Sequence, residues 1–313
     1  MPDINASIRQ QVLPRGGTGM IRALLFGLAL AGAATPATAG MPDDKPIETL
    51  KRNGAWQANY DRDSCKLSVQ LGEGKASVIA QFTRYQPGDS FDLAVYGVRF
   101  FTTDVKVDGT ADYGLSPKPI VIDGMSGNAG KYQAIFFSGM RLDGWEGDDR
   151  NKNEPQIAPK ITPEQEARVS GVTLRIRGRR PLRLEFGSFA KPLAEMRKCM
   201  DELVKSWGYD PLQQAAGLRA VSPITAPGTW LNYNDYPMGA LRNGANGIVQ
   251  FRLDVDPEGK VAGCYILART NPDQFADITC KAITRRARLQ PALDAQGKPM
   301  RSFWIQKVKW LAS

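Results

Sequence analysis

The feature that most restricts the fold is the alternation in residues 247–255 (GIVQFRLDV), where Val249, Phe251, Leu253 and Val255 interleave with Gln250, Arg252 and Asp254. A period of two marks a half-buried strand with one apolar and one polar face. Asp256-Pro257-Glu258-Gly259 follows as a reverse turn, in which proline fixes φ and glycine is free to make φ positive. A second strand over residues 260–268 completes a hairpin. Asn271-Pro272 then reads as an N-cap and first helical position, with Gln274 placed to reach back. The helix is expected to run to about Ala287, with Phe275, Ile278, Ala282 and Ile283 on one face. Gly297-Lys298-Pro299 breaks the chain before a closing strand over 301–310. The expected order is β-β-α-β, and it contains no obvious reactive group.

The opposite end reads as a targeting segment. Met20-Ile21-Arg22 precedes twelve apolar or small residues, 23–34 (ALLFGLALAGAA), and then Ala37-Thr38-Ala39-Gly40. A charged start, an apolar run and an A-x-A site make a signal peptide over residues 1–39, with Met20 as a second candidate start. As a helix, the run would reach only ~18 Å against a ~30 Å hydrocarbon core. Cleavage is therefore expected, and a retained single-pass anchor is the alternative. The formal charge of +9 falls to +7 once Arg9, Arg15, Arg22 and Asp3 are removed with that segment. A mildly basic balance speaks to solubility and encounter, and no nucleic-acid module accompanies it.

Between these ends, residues 56–186 hold short apolar runs broken by Gly, Pro, Asn and Asp. Strands are expected at 65–71, 76–82, 91–98, 119–122, 132–137 and 172–177, as a sandwich or barrel of about six to eight strands. Residues 148–163 (DDRNKNEPQIAPKITP) are too polar and proline-rich to pack, and read as an exposed loop. Ser188 is expected to cap a helix carrying Phe189, Leu193, Met196, Met200 and Leu203, which ends at Trp207-Gly208. Residues 209–228, with Pro211, Pro223 and Pro227, read as a linker that would reach ~60 Å if extended. Arg175, Arg177, Arg179, Arg180 and Arg183 form the densest basic run. A solvated strand face explains it more simply than an anion-binding patch does.

Cys65, Cys199, Cys264 and Cys280 are an even set in an exported chain, so disulfides are expected. Of three possible pairings, Cys65 with Cys199 and Cys264 with Cys280 is favoured, because each then closes within one domain. Histidine is absent from the chain. That removes Ser-His-Asp and Cys-His nucleophile systems and most catalytic zinc sites. Gly124-Met125-Ser126-Gly127 is not a nucleophile elbow, and no phosphate-binding glycine loop occurs. No catalytic residue, metal ligand or cofactor is assigned. A hydrolase using a carboxylate pair in the β-rich region leaves no spacing signal, and stays open as a minor alternative.

Several motifs in the last quarter carry a family resemblance. Tyr236-Pro237, Ala240-Leu241, Gly247-Ile248-Val249 and Val255-Asp256-x-x-Gly259-x-Val261 resemble the C-terminal domain of TonB-family energy transducers, as does Arg286-Ala287-Arg288-x-x-Pro291-Ala292-x-Asp294-x-x-Gly297-Lys298-Pro299. The fold class is accordingly α+β: a β-rich domain over 40–208 with one terminal helix, the linker, and a small TonB-like domain over 229–313. In that family the partner is the TonB box of an outer-membrane transporter, which pairs beside the last strand. The resemblance thus implies partner binding by Ser302, Phe303, Trp304, Ile305, Gln306, Lys307 and Val308. A transducer joins an inner-membrane helix to this domain through a long proline-rich, charged segment. The short apolar run and short linker favour instead a secreted periplasmic protein of a Gram-negative bacterium. It would bind an outer-membrane TonB-dependent transporter or another envelope protein by strand addition, without nucleic acid or a small-molecule cofactor. An anchored transducer is the alternative.

Overall fold

The architecture comes from a computed structural model, which describes residues 46–129, 132–146, 158–270 and 273–312. The expected signal peptide, the Asn271-Pro272 cap and most of the 148–163 loop lie outside the described residues.

Ten strands of the first part share one sheet. They are β1 (Glu48–Lys51), β2 (Gln57–Tyr60), β3 (Cys65–Leu71), β4 (Val78–Arg84) and β5 (Phe91–Tyr96), followed by β6 (Lys106–Asp112), β7 (Ile120–Ala129), β8 (Tyr132–Met140), β9 (Gly171–Ile176) and β10 (Leu182–Glu185). Their order is β1-β10-β9-β6-β7-β8-β5-β4-β3-β2. Only the β1–β10 pair is parallel. A bridge from Arg52 to Leu71 joins the end of β1 to that of β3, so the sheet curls back on itself. Alternation sets which face is inside: in β3, Cys65, Leu67, Val69 and Leu71 are buried, while Gln70 is exposed.

Two helices close this sheet. Thr162 caps α1 (Pro163–Arg168) in a capping box with Gln165. The longer α2 (Ala190–Ser206) buries Leu193, Met196, Met200 and Leu203 in the same core as the inward face of the sheet. Its N-cap is Phe189 with no side-chain cap, not the expected Ser188. The Phe189 ring is drawn into a cluster with Trp56, Phe82 and Phe186 at centroid distances of 4.8–5.3 Å, which leaves Ser188 outside the first turn. Gly208, at φ +82°, ends the helix as expected. Cys65 and Cys199 form a disulfide that ties α2 to β3.

The segment read as a linker is folded rather than extended. Asp210 caps α3 (Pro211–Ala216), accepting from the amides of Leu212 at 2.8 Å and Gln213 at 3.4 Å. A short strand, β11 (Ser222–Pro223), follows, and Trp230 is buried in the second core. Pro211 and Pro227 sit at helix starts, where a missing N–H costs nothing.

The last part comprises α4 (Met238–Arg242), β12 (Gly247–Val255), β13 (Val261–Arg269) and α5 (Gln274–Arg286). Three short strands follow, β14 (Leu289–Gln290), β15 (Ala292–Leu293) and β16 (Pro299–Met300), and then β17 (Ser302–Trp310). β11 pairs with β14 and β15 with β16, while the main sheet runs β13-β12-β17, all antiparallel. The expected β-β-α-β order is present, with the short strands inserted before its last member. Gly259 turns the hairpin at φ +79°, and a Cβ there would lie 2.2 Å from the Leu289 carbonyl oxygen. The Cys264–Cys280 disulfide ties β13 to α5. Among the described residues no helix is long and apolar enough to cross a membrane.

Candidate functional site

The residues expected to bind a partner all lie on β17, whose two faces are packed differently. Trp304, Val308 and Trp310 face the α5 side. Trp304 meets the Trp230 ring at 5.3 Å, and Trp310 stacks on Phe275 at 5.3 Å. The Trp310 indole N–H donates to Thr279 Oγ1 at 3.1 Å, so its one polar atom is satisfied in the core. Trp304 and Val308 are therefore core residues more than contact residues.

The opposite face of β17 carries Phe303, Ile305, Lys307 and Lys309. It meets the curled sheet and the end of α2. Phe303 packs edge-on against Trp207 and Tyr209, both at 5.3 Å, and Ile305 is 3 % exposed. Lys307 Nζ lies 2.6 Å from Asp92 of β5, and Lys309 Nζ lies 3.4 Å from Asp123 of β7. On neighbouring β12, Gln250, Arg252 and Asp254 share this face and are buried. Arg252 pairs with Asp254 at 2.9 Å and lies 4.4 Å from the ring centres of both Trp207 and Tyr265. A buried guanidinium is tolerated there because a carboxylate and two ring faces replace its water. Burial, and then the Asp254 charge, push the Tyr209 phenol well above its ordinary range, so it stays a hydrogen-bond donor.

What remains open is the outer edge of β17. The Lys307 amide donates to its neighbour's side chain, Gln306 Oε1, at 3.0 Å, so it points away from β12. Alternate residues of a strand address the same neighbour, which puts the backbone groups of Phe303, Ile305, Lys307 and Lys309 on this edge. Among the described residues no strand pairs with it. Its beginning is held from the former linker. Tyr209 Oη donates to the Ser302 carbonyl and Gln214 Nε2 to the Arg301 carbonyl, both at 3.1 Å. Ser302 Oγ donates to Gln214 Oε1 at 2.5 Å. Ser302 is thus engaged within the chain, and the edge without a pairing strand among the described residues runs over 303–309, with Ile305 itself buried.

The basic features singled out from the sequence lie elsewhere. On β9, Leu174 and Ile176 are buried and Arg175 is half-buried. Arg183 donates to Thr173 Oγ1 and Ser170 Oγ. In the last turn of α5, Arg286 does more than place a cation at a helix C-terminus. It pairs with Asp235 in a two-pronged contact, one prong at 2.9 Å, and donates to the Trp230 carbonyl at 2.9 Å. Sequence reasoning missed Asp235 and the Arg252–Asp254–Trp207 cluster. The nearest signal was the presence of two opposite charges on a strand opposite its apolar face.

No curated protein and no solved structure gave a match to this chain. Residues 232–310, the stretch holding the β13-β12-β17 sheet and α5, match the family model for the Gram-negative bacterial TonB protein C-terminal.

Proposed function

We propose that this chain is a periplasmic binding protein of the Gram-negative envelope. It takes an extended segment of a partner as an added strand along the free edge of β17, and it does so without catalysis. An outer-membrane TonB-dependent transporter is the first candidate partner. The observation that carries this reading is the unpaired edge over residues 303–309 in a module matching the TonB C-terminal family model. Backbone hydrogen bonds would supply affinity there, and the flanking side chains selectivity. Gln306 covers the Lys307 amide, which shields an otherwise sticky edge until a partner displaces it.

Calorimetric titration of the full chain with a synthetic TonB-box peptide tests this. Ile305→Pro, which removes an outward N–H, should abolish binding. Gln306→Ala, which uncovers the Lys307 amide, should tighten it by about two- to tenfold. Equal affinity in all three proteins would overturn the edge as the binding site.

The family match also favours a second reading, a membrane-anchored energy transducer. Fractionation with N-terminal sequencing separates the two. A mature chain beginning near Gly40 in the soluble periplasm supports the secreted binder, and an intact terminus in the inner membrane supports the transducer.

A further inference from the structure

Where β1 lies alongside β10, residues of β1, β9, β10 and the turn at 98–100 line a half-open cavity of about 250 Å³. Its floor is apolar: Phe100, Leu174, Ile176 and Leu182 line it, and each is less than 10 % exposed. Its rim is basic, with Arg99, Arg179 and Arg180 against a single carboxylate, Glu48.

The three guanidiniums are not equivalent. Arg99 is neutralised by Glu48 through two bonds of 2.7 and 2.6 Å, and its Nε donates to the Ala76 carbonyl at 3.1 Å. Arg179 donates to the main-chain carbonyls of Arg99 and Phe101, so it is fixed in place without a balancing carboxylate among the described residues. Arg180 is exposed and makes no hydrogen bond or ion pair among the described residues. The rim therefore keeps a net positive charge above an apolar floor, with Arg179 rigid and Arg180, which feels the Glu48 carboxylate only through space, free to close over an occupant. The same turn leaves Val98 and Phe101 exposed beside the rim.

We infer that this cavity binds a small carboxylate with an apolar body. An apolar floor gives nothing to a fully hydrated inorganic anion, whereas a short acyl or aromatic group buries surface there. The carboxylate suits a planar guanidinium, which can grip both its oxygens. At about 250 Å³ the site lies below the ~300–1,000 Å³ of drug-sized pockets, which suits a small ligand better than a nucleotide or a whole lipid.

Octanoate, the isosteric neutral octanamide and inorganic phosphate serve as probes, titrated into the full chain while methyl signals of Leu174, Ile176 and Leu182 are followed by NMR. Octanoate should bind one to one and shift those methyls, with octanamide and phosphate each at least about tenfold weaker. Arg180→Glu, a change at an exposed side chain, should weaken octanoate by a similar factor. The inference is overturned if octanamide or phosphate binds as well as octanoate, if Arg180→Glu leaves the affinity unchanged, or if the shifts fall on other methyls.

Discussion

Asp235 and Arg286 show what a single ion pair does in this fold. Asp235 sits in the turn before α4, and Arg286 in the last turn of α5. Their contact, with the Arg286 bond to the Trp230 carbonyl, fastens the chain's entry into the module to its helix. The Arg286 hydrogen bond holds the Asp235 carboxyl below the usual carboxylate range. A depressed carboxylate contributes stability above its unfolded value, near 3.9, and loses it as pH falls through the lower folded value. The module should therefore weaken below about pH 4, and Asp235→Asn should flatten that acid limb in thermal melts. At neutral pH the same substitution should cost about 1.5–3 kcal/mol, the range for a hydrogen bond to a charged group. Arg286 lies in a motif that carries the family resemblance, but nothing in the sequence announced Asp235 as its partner, because the pair spans 51 positions and follows no periodicity.

At the scale of elements, legibility tracked how much of a strand is buried on one face. The expected strands over 65–71 and 247–255 alternate cleanly in sequence and both are present, the second pairing with β13 across two register shifts. β2 is exposed at all four positions, β10 has four residues, and β6 carries Gly109 within KVDGTAD. None of these three offers a period-two signal long enough to read. The cysteine pairing followed from chain economy, and both bridges are as favoured. They should not contribute equally. On the chain-entropy model a bridge across 16 residues stabilises by ~3 kcal/mol, and one across 134 by about 5 kcal/mol. Replacing Cys65 and Cys199 by serine should accordingly lower the denaturant midpoint of the curled sheet more than the Cys264/Cys280 double serine variant lowers that of the small module.

At the scale of the molecule, the two parts are docked and not tethered. Trp207 and Tyr209 reach Phe303, Trp207 also covers Arg252, and two lysines of β17 reach Asp92 and Asp123. The two lysine pairs span 215 and 186 positions, so no local pattern could announce them. The sequence showed that a polar face existed on β12, and it could not show that another domain would cover it. The Lys309–Asp123 pair is solvent-exposed, and such pairs contribute only ~0–1 kcal/mol, so Asp123→Ala should barely change the thermal midpoint. Trp207→Ala removes buried ring surface and the cover of Arg252. It should separate the two parts, seen as a larger radius of gyration in solution scattering and faster proteolysis within 209–228. An unchanged radius would show that the docking rests on other contacts.

Docking leaves the outer edge of β17 without a pairing strand among the described residues, and backbone amides report on it directly. In a nitrogen-15 NMR titration of the full chain with a TonB-box peptide, amide shifts should concentrate in residues 303–309, and Ile305→Pro should abolish them while β12 amides keep their positions. Shifts gathered on the outer edge of β13 or in the curled sheet, or no shifts at saturating peptide, would contradict strand addition at β17.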